Sequence, residues 1–391
     1  MNNEETAVYL HDEQVYRLVM ETLLAHLGLD MTGRRYSDAE ILEVVLTAAA
    51  QQTSLEQVCN TSEAAPCGNT VRGVLEAQLD VEQVEAKANR MLAQRLPKRL
   101  QKKARWIASD LVLVPYHGEP HQDPAEVVRS QAKHGTSHFH AYATAFVVER
   151  GRRFTVALTF VRSTDTLTAI LERLQSLVRE LGLKARCWLL DRQFFTVEVI
   201  QHLQARQDRF IIPVVIRGKQ EPPGGTRALV AGKTSSWTTY TMHSPQHGAV
   251  SFRVAVVAKN WAGRAHKRGR QMLAYAVQGI RTELHAIAEI YRRRFGIETS
   301  HRQMHQGRAR TSSRSPVLRL LYVAIALLLR NVWAWLHWAV VAEPRRGGRK
   351  LRPWLFNLAQ MLTWIARLGE EHLRTVRALQ VGYPLSVQYH G

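Results

Sequence analysis

From residue 13 to about residue 103 the apolar positions fall three and four apart, in "EQVYRLVMETLLAHL", "DAEILEVVLTAAAQ", "SLEQVCN" and "VEQVEAKANRMLAQRL". That spacing gathers them on one helix face and predicts an all-helical N-terminal region. At residue 105 the period changes. "RWIASDLVLVP" is a strand-like apolar run ending at Pro115, and "HFHAYATAFVVERGRRFTVALTFV" reads as two strands around a turn at Gly151. "DTLTAILERLQSLVRELG" is amphipathic at helical spacing, "KARCWLLD" is a short buried strand, "FTVEVIQHLQARQ" is a helix and "RFIIPVV" a further strand. The order strand, strand, strand, helix, strand, helix, strand predicts an α/β sheet in which three antiparallel strands precede crossover units.

Residues 217–280 turn strand-rich, with "RALVAG", "SWTTYTMH", "AVSFRVAVVAKN" and "RQMLAYAV" between Pro and Gly turns, and a helical stretch follows at 282–305. "SPVLRLLYVAIALLLRNVWAWLHWAVV" predicts a long apolar helix that begins at Ser315-Pro316. Its most apolar part, "LLYVAIALLL", is about half the length of a membrane span and is bracketed by Arg319 and Arg330, so it reads as a buried helix with no membrane role. After the basic loop "EPRRGGRKLRP" comes one more helix, "WLFNLAQMLTWIARLGEEHLRTV".

Charge narrows the partner. Lys and Arg number 53 against 33 Asp and Glu in 391 residues, a formal net charge of +20. Such an excess repels itself unless a polyanion neutralises it, which makes nucleic acid the expected partner. Two short helices in "TSLEQVCNTSEAAPCGNTVRGVLEAQL" follow the order helix, turn, helix, with Asn69 and Arg72 opening the second. That order suits a DNA-reading pair, although ordinary bundles contain it too. The basic run "RLPKRLQKKARW", with Lys102 and Lys103, closes the region as a linker able to follow phosphates. Cys59, Cys67 and Cys187 are too few and too scattered for a disulfide framework, and "MNNEETAVYLHDEQ" lacks the basic start and apolar core of a signal peptide. A reduced, cytoplasmic setting is expected.

Three carboxylates stand where acids are costly. Asp110 interrupts the apolar strand "WIASDLVLVP", where an unpaired acid costs several kcal/mol and needs a cation, a metal or a strand end. Asp191 ends "CWLLD", at the edge where α/β sheets bind ligands, and it equally suits the N-cap of the helix that follows. Glu298 lies in "IYRRRFGIETSHRQMH", either as a solvated salt-bridge partner or as a third acid beside the other two. On one continuous helix Tyr291, Arg294, Glu298 and His305, spaced three, four and seven apart, share a stripe with no packing character. Two converging aspartates and a third acid from a packed helix suit Mg²⁺ or Mn²⁺, and two such ions clamp an in-line phosphoryl transfer.

With these residues in hand, the sequence resembles the insertion-sequence transposases of bacteria and archaea that carry a ribonuclease-H-like domain with an Asp-Asp-Glu triad. One group of them has Tyr, two residues, Arg, three residues, Glu, six residues, Lys, which here reads Tyr291, Arg294 and Glu298, with His305 in place of Lys. "IASDLVLVPYHG" and "LLDRQFF" resemble the segments around the first and second Asp. The resemblance covers about residues 104 to 340 and implies a helical DNA-binding domain at 1–103, a catalytic core at 104–216 and 281–342, a β-rich insertion at 217–280 and a helical tail at 343–391. It further implies that Asp110, Asp191 and Glu298 bind two Mg²⁺ ions, Mn²⁺ substituting. Tyr291 and Arg294 are then implied to grip DNA near the cut phosphate, with Arg302 able to supply the charge that His305 lacks. Trp261, in "KNWAGRAHKRGR", occupies the place where some relatives stack an extruded base, as well as suiting a half-buried core position.

The expected activity is cut-and-paste transposition by a homodimer on DNA, bridging terminal inverted repeats and target in a prokaryotic, nucleoid-associated setting. The competing expectations are a domesticated DNA-binding protein without catalysis and a nuclease of the same fold that never joins strands.

Overall fold

The structure, a computed structural model, describes residues 9–149, 153–232, 234–262, 268–346, 348–352 and 354–377. Five helices open the chain: α1 (Asp12–Leu27), α2 (Asp38–Gln51), α3 (Leu55–Asn60), α4 (Gly68–Gln78) and α5 (Val81–Gln94). Their starts follow from local chemistry. Ser37 accepts from the Glu40 amide while Glu40 reaches back to Ser37, and Ser54 and Asp80 cap α3 and α5 through Oγ and Oδ1. The α3–α4 pair is closely stapled. Arg72 meets Glu56 at 2.6 Å, and the same carboxylate packs over Gly68, where an added Cβ would stand 2.0 Å from it and make the Glu56 side chain move aside.

A mixed sheet follows. β1 (Arg105–Tyr116), β2 (Val128–Lys133), β3 (Thr136–Val147) and β4 (Thr155–Val161) precede α6 (Leu167–Glu180), β5 (Ala185–Leu190), α7 (Val197–Ala205) and β6 (Phe210–Pro213). β3 pairs antiparallel with β1, and both β2 and β4 pair antiparallel with β3. β5 runs parallel to β1, and β6 parallel to β5. The expected turn at Gly151 lies outside the described residues.

β7 (Ser236–Ser244), β8 (Gly248–Ala262) and β9 (Arg268–Gln278) then extend the same sheet, because β9 hydrogen-bonds antiparallel to β6, with Phe210 opposite Gln278. Nine strands result, in the path β2-β3-β1-β5-β6-β9-β8-β7 with β4 also on β3. The edge of β6 is thereby covered rather than left open. "RALVAG" forms no strand: residues 225–230 are a short 3₁₀ helix. Thr226 holds that turn down by donating to the Val215 carbonyl and accepting from the Arg217 amide.

Next come α8 (Leu284–Arg292), α9 (Phe295–Met304), α10 (Pro316–Leu336), a β10–β11 hairpin (Glu343–Arg345 and Gly348–Lys350) and α11 (Leu358–His372). α10 starts at Pro316 with Ser315 as its cap, and with its continuation to Val341 it is long and apolar enough to cross a membrane. Of its most apolar stretch, 83% is buried inside the fold, packed with α1, α2, α5 and α11 in one core, which explains its composition without a bilayer.

The polar residues of that core have a defined task. β4 has β3 on one side only, and its other edge meets side chains from the helices. Asn331 of α10 accepts from the Thr155 amide at 3.0 Å and donates to its carbonyl at 2.7 Å. Asn89 of α5 does the same for Leu158, and Glu85 accepts from the Phe160 amide. Each side chain replaces a missing strand partner, and this ties the N-terminal helices to the sheet.

Candidate active site

The parallel pairing of β1 and β5 ends at Ser109 opposite Leu190. Asp110 and Asp191 are the next residue on each strand, so they emerge side by side at the carboxyl ends, where an α/β sheet opens its crevice. Asp110 nevertheless remains within β1, paired across to Thr144 on β3. Asp191 stands at the N-cap position of a short 3₁₀ turn without capping it, and Thr196 caps α7 instead. Its carboxylate is therefore free for another role.

That role is set by Arg294, at the break between α8 and α9. Its Nη2 lies 3.0 Å from Asp191 Oδ1 and 3.4 Å from Asp110 Oδ1, and its Nη1 lies 2.9 Å from Glu298 Oε1. One guanidinium thus gathers acids from two strands and a helix. The Arg294 side chain is 7% exposed, against 14% for Asp110, 25% for Asp191 and 45% for Glu298. The cation sits deepest and the acids open outward, so a ligand reaches the carboxylates from solvent.

Tyr291, half-buried, donates to the Leu190 carbonyl at 3.1 Å and packs on Tyr275 at 5.3 Å between ring centroids. It braces α8 against the end of β5 next to Asp191. Burial pushes its hydroxyl well above the ordinary range, so it stays a neutral donor.

Burial also pushes Asp110 up to about 6, Asp191 and Glu298 adding to the rise and Arg294 opposing it. An unfolded aspartate titrates near about 3.9. Between those values the folded state holds the extra proton, so Asp110's contribution to stability falls as pH rises from about 4 to about 6 and stays unfavourable above. In metal-free buffer, Asp110→Asn is expected to gain on the wild type across that window, the gap closing below pH 4. Urea unfolding at stepped pH measures it.

Sequence reasoning missed His301. Its Nε2 is 3.0 Å from Thr144 Oγ1 and its Nδ1 is 3.8 Å from Asp110 Oδ2. Burial and the nearby Arg294 lower its pKa to about 3, so the imidazole is neutral. The neutral ring carries a single proton and stands between the Thr144 hydroxyl and the Asp110 carboxylate. The available signal was its spacing, three residues past Glu298 and hence on the same helix face.

The stripe expected on one continuous helix is interrupted. At the α8–α9 junction the bonds tighten to i→i−3, from Arg293 to Ile290, Arg294 to Tyr291, Gly296 to Arg293 and Ile297 to Arg294. α9 ends at Met304, and His305 begins a 3₁₀ turn. His305 and Arg302 are exposed and carry no contact to the acids, as are Lys102 and Lys103 in the linker. Asn69, paired with Arg72, lies far along the chain in α4. Trp261 is the last residue but one of β8, opposite Gly269, with its side chain outside what the structure describes.

With Arg294 in place, no group of three or more His, Cys, Asp or Glu side chains among the described residues is set to hold a metal. The donors themselves are the hard oxygens that Mg²⁺ and Mn²⁺ take, and a guanidinium bridging all three acts as a stand-in for that positive charge. The chemistry of the three donors suits a divalent cation, while their present arrangement gathers them on Arg294.

The architecture is thus a mixed α/β fold, a large sheet beside N-terminal helices, with three acids meeting on one arginine. The transposase DDE domain model matches residues 102–332, more than half of the chain, and the protein belongs to that family. Among solved structures it is similar to piggyBac transposase in a synaptic complex with hairpin DNA, at 11% identity and a TM-score of 0.52, covering 97% of this chain and 84% of that one. At that identity the likeness concerns the fold. No curated protein matches the sequence.

Proposed function

We propose that this transposase works by cut-and-paste, with Asp110, Asp191 and Glu298 as its catalytic acids on a ribonuclease-H-like core. The observation that carries the reading is the meeting of these three side chains, from β1, β5 and α9, on the single Arg294 guanidinium. The strand order β4-β3-β1-β5-β6, three antiparallel and two parallel, supports the core assignment. The resemblance to the Tyr-Arg-Glu-Lys group supports it further, His305 being the one departure.

The three acids would hold two divalent ions, Mg²⁺ or Mn²⁺, which when bound stabilise charge on the attacking and leaving oxygens of an in-line phosphoryl transfer. The chain's own residues do the rest. Asp110 and Asp191 are fixed by the end of the β1–β5 pairing, and Tyr291 locks α8 onto that end. Arg294, the cation beside the three acids, attracts the DNA phosphate that approaches them. The exposed Arg302, His305, Lys102 and Lys103, with Asn69 and Arg72 of α4, extend the basic surface along which DNA lies. The net charge of +20 supports that partner, and a homodimer bridges the two terminal inverted repeats before joining target DNA.

The test is a DNA fragment carrying the repeats that flank the reading frame, incubated with protein and Mg²⁺ or Mn²⁺. Cutting at the repeat ends followed by joining to a second DNA is the expected outcome. Cutting without joining would identify a nuclease, and tight binding without cutting a repressor.

His301 supports Asp110 in this reading. His301→Ala is expected to raise the Mn²⁺ concentration for half-maximal cutting by about 10-fold or more, as loss of a group that orients a ligand does. His301→Gln, which keeps a donor, recovers part of it. Electron paramagnetic resonance of free Mn²⁺ reads the same shift without catalysis.

A further inference from the structure

A cavity of about 200 Å³ opens between β1, the loop after α9 and the start of α10, lined among others by Val114, Tyr142, Arg308, Arg319 and Tyr322. Three arginines line it, Arg310 being the third, and no carboxylate does. Buried cations are ordinarily paired, because an unpaired one pays its full desolvation.

Here the pairing groups are missing from the protein side. Arg308 Nη1 is buried without a hydrogen-bond partner, and so is the hydroxyl of Tyr142, a fully buried residue. Arg319 is oriented rather than neutralised: its Nε donates to the Ser313 carbonyl at 2.8 Å and its guanidinium lies over the Tyr116 ring at 4.7 Å. Burial holds both arginines below their ordinary range, and Arg319 lowers Arg308 further. Donors with no acceptor, around an opening large enough for a tetrahedral oxyanion, describe an anion site.

Its place in the sheet gives it a purpose. Register places Asp110 opposite Thr144, Val112 opposite Tyr142 and Val114 opposite His140, so Asp110, Tyr142 and Val114 share one face of β1 and β3. The cavity thus begins about 7 Å along that face from Asp110, at Tyr142, and reaches about 13 Å, at Val114, at 3.3 Å per residue. Exposed Arg310 stands at its mouth, where a nucleic-acid backbone has access.

We propose that Arg308, Arg319 and the Tyr142 hydroxyl form a second phosphate site, which takes one backbone phosphate of bound DNA and sets where the strand crosses Asp110. The choice of DNA over free phosphate rests on the transposase reading above; the anion site itself does not.

Two measurements on the full chain test it. First, inorganic phosphate is expected to raise the melting temperature of the metal-free protein, by mass action on the folded state. Arg308→Gln and Arg319→Gln should abolish that rise. Tyr142→Phe, which removes one oxygen and keeps the core volume, should reduce it and carries the test if an arginine variant does not fold.

Second, a DNA duplex is given a single uncharged methylphosphonate linkage, moved step by step along the strand. One position is expected to weaken wild-type binding about 10-fold, the loss of a charge-assisted contact, to have no effect in the Arg308→Gln protein and a smaller one in Tyr142→Phe. Phosphate stabilisation with no sensitive position would make this a free-phosphate site and overturn the DNA assignment. No stabilisation by phosphate, or a sensitive position unchanged in the variants, overturns the site. DNA that is bound but never cut, with the phosphate responses intact, would remove the transposition reading and leave the site standing.

Discussion

Asp191→Asn is expected to bind DNA as the wild type does and to cut it about 10³-fold more slowly, a loss of about 4 kcal/mol of transition-state stabilisation. The size follows from what the substitution removes. Asn keeps the shape and the Asp191 backbone, and the side chain caps no helix, since Thr196 caps α7. Tyr291 still holds the Leu190 carbonyl. What goes is one negative charge at the place where two strands present their acids to solvent. Asp110→Asn and Glu298→Gln are expected to fall as far, and the double variants no further than the singles, because the three act as one unit. End-labelled DNA in Mn²⁺ reads the cutting, and a gel-shift on the same DNA reads the binding. Undiminished cutting by the Asp191→Asn protein would take Asp191 out of the triad and the proposed chemistry with it.

Much of this arrangement was legible before any coordinates. Asp110 and Asp191 each end or interrupt a strongly apolar strand, and such positions are conspicuous because an acid there needs a reason. Their convergence was conditional on the two strands being neighbours, which the parallel β1–β5 register satisfies. The N-terminal helices, with Ser and Asp caps before their apolar faces, were equally plain.

What stayed hidden depends on contacts distant in the chain or on small changes of backbone pitch. Continuing one helix from 282 to 305 put His305 on the acid face, but a few i→i−3 bonds at 293–297 and the end of α9 at Met304 leave His301 there instead. Periodicity assumes a constant turn angle and does not register such tightening. The attachment of β9 to β6 was invisible for a different reason: strand pairing across more than fifty residues leaves no trace in local pattern. Arg330, which in the sequence brackets the apolar stretch, and its neighbour Asn331 both have partners that only the fold supplies. Asn331 completes the edge of β4, and Arg330 donates to the Arg153 carbonyl just before it.

Arg294→Gln should separate the two jobs that one guanidinium combines. Three acids share it, and removing one partner of a buried charged group typically costs about 3–5 kcal/mol, because the remaining charges are left uncompensated. The variant is therefore expected to melt well below the wild type in EDTA. At pH 8, where its acids are ionised and without a counter-charge, they should take up Mn²⁺ more readily, and the added ion should restore most of the lost stability. The wild type should gain much less, since Arg294 already neutralises the seat. Arg294→Lys keeps the charge without the fork that reaches Asp110, Asp191 and Glu298 together, and should fall between the two. Asp110 supplies a second check. Arg294 holds its pKa down against burial, so in Arg294→Gln that pKa rises further and Mn²⁺ uptake should need a higher pH than in the wild type. Thermal melts with and without Mn²⁺ at pH 6 and pH 8 test both points. Equal stabilisation of wild type and variant by Mn²⁺ would mean that Arg294 does not occupy the cation's place, and stabilisation of neither would mean that the three carboxylates are assembled for something other than a metal.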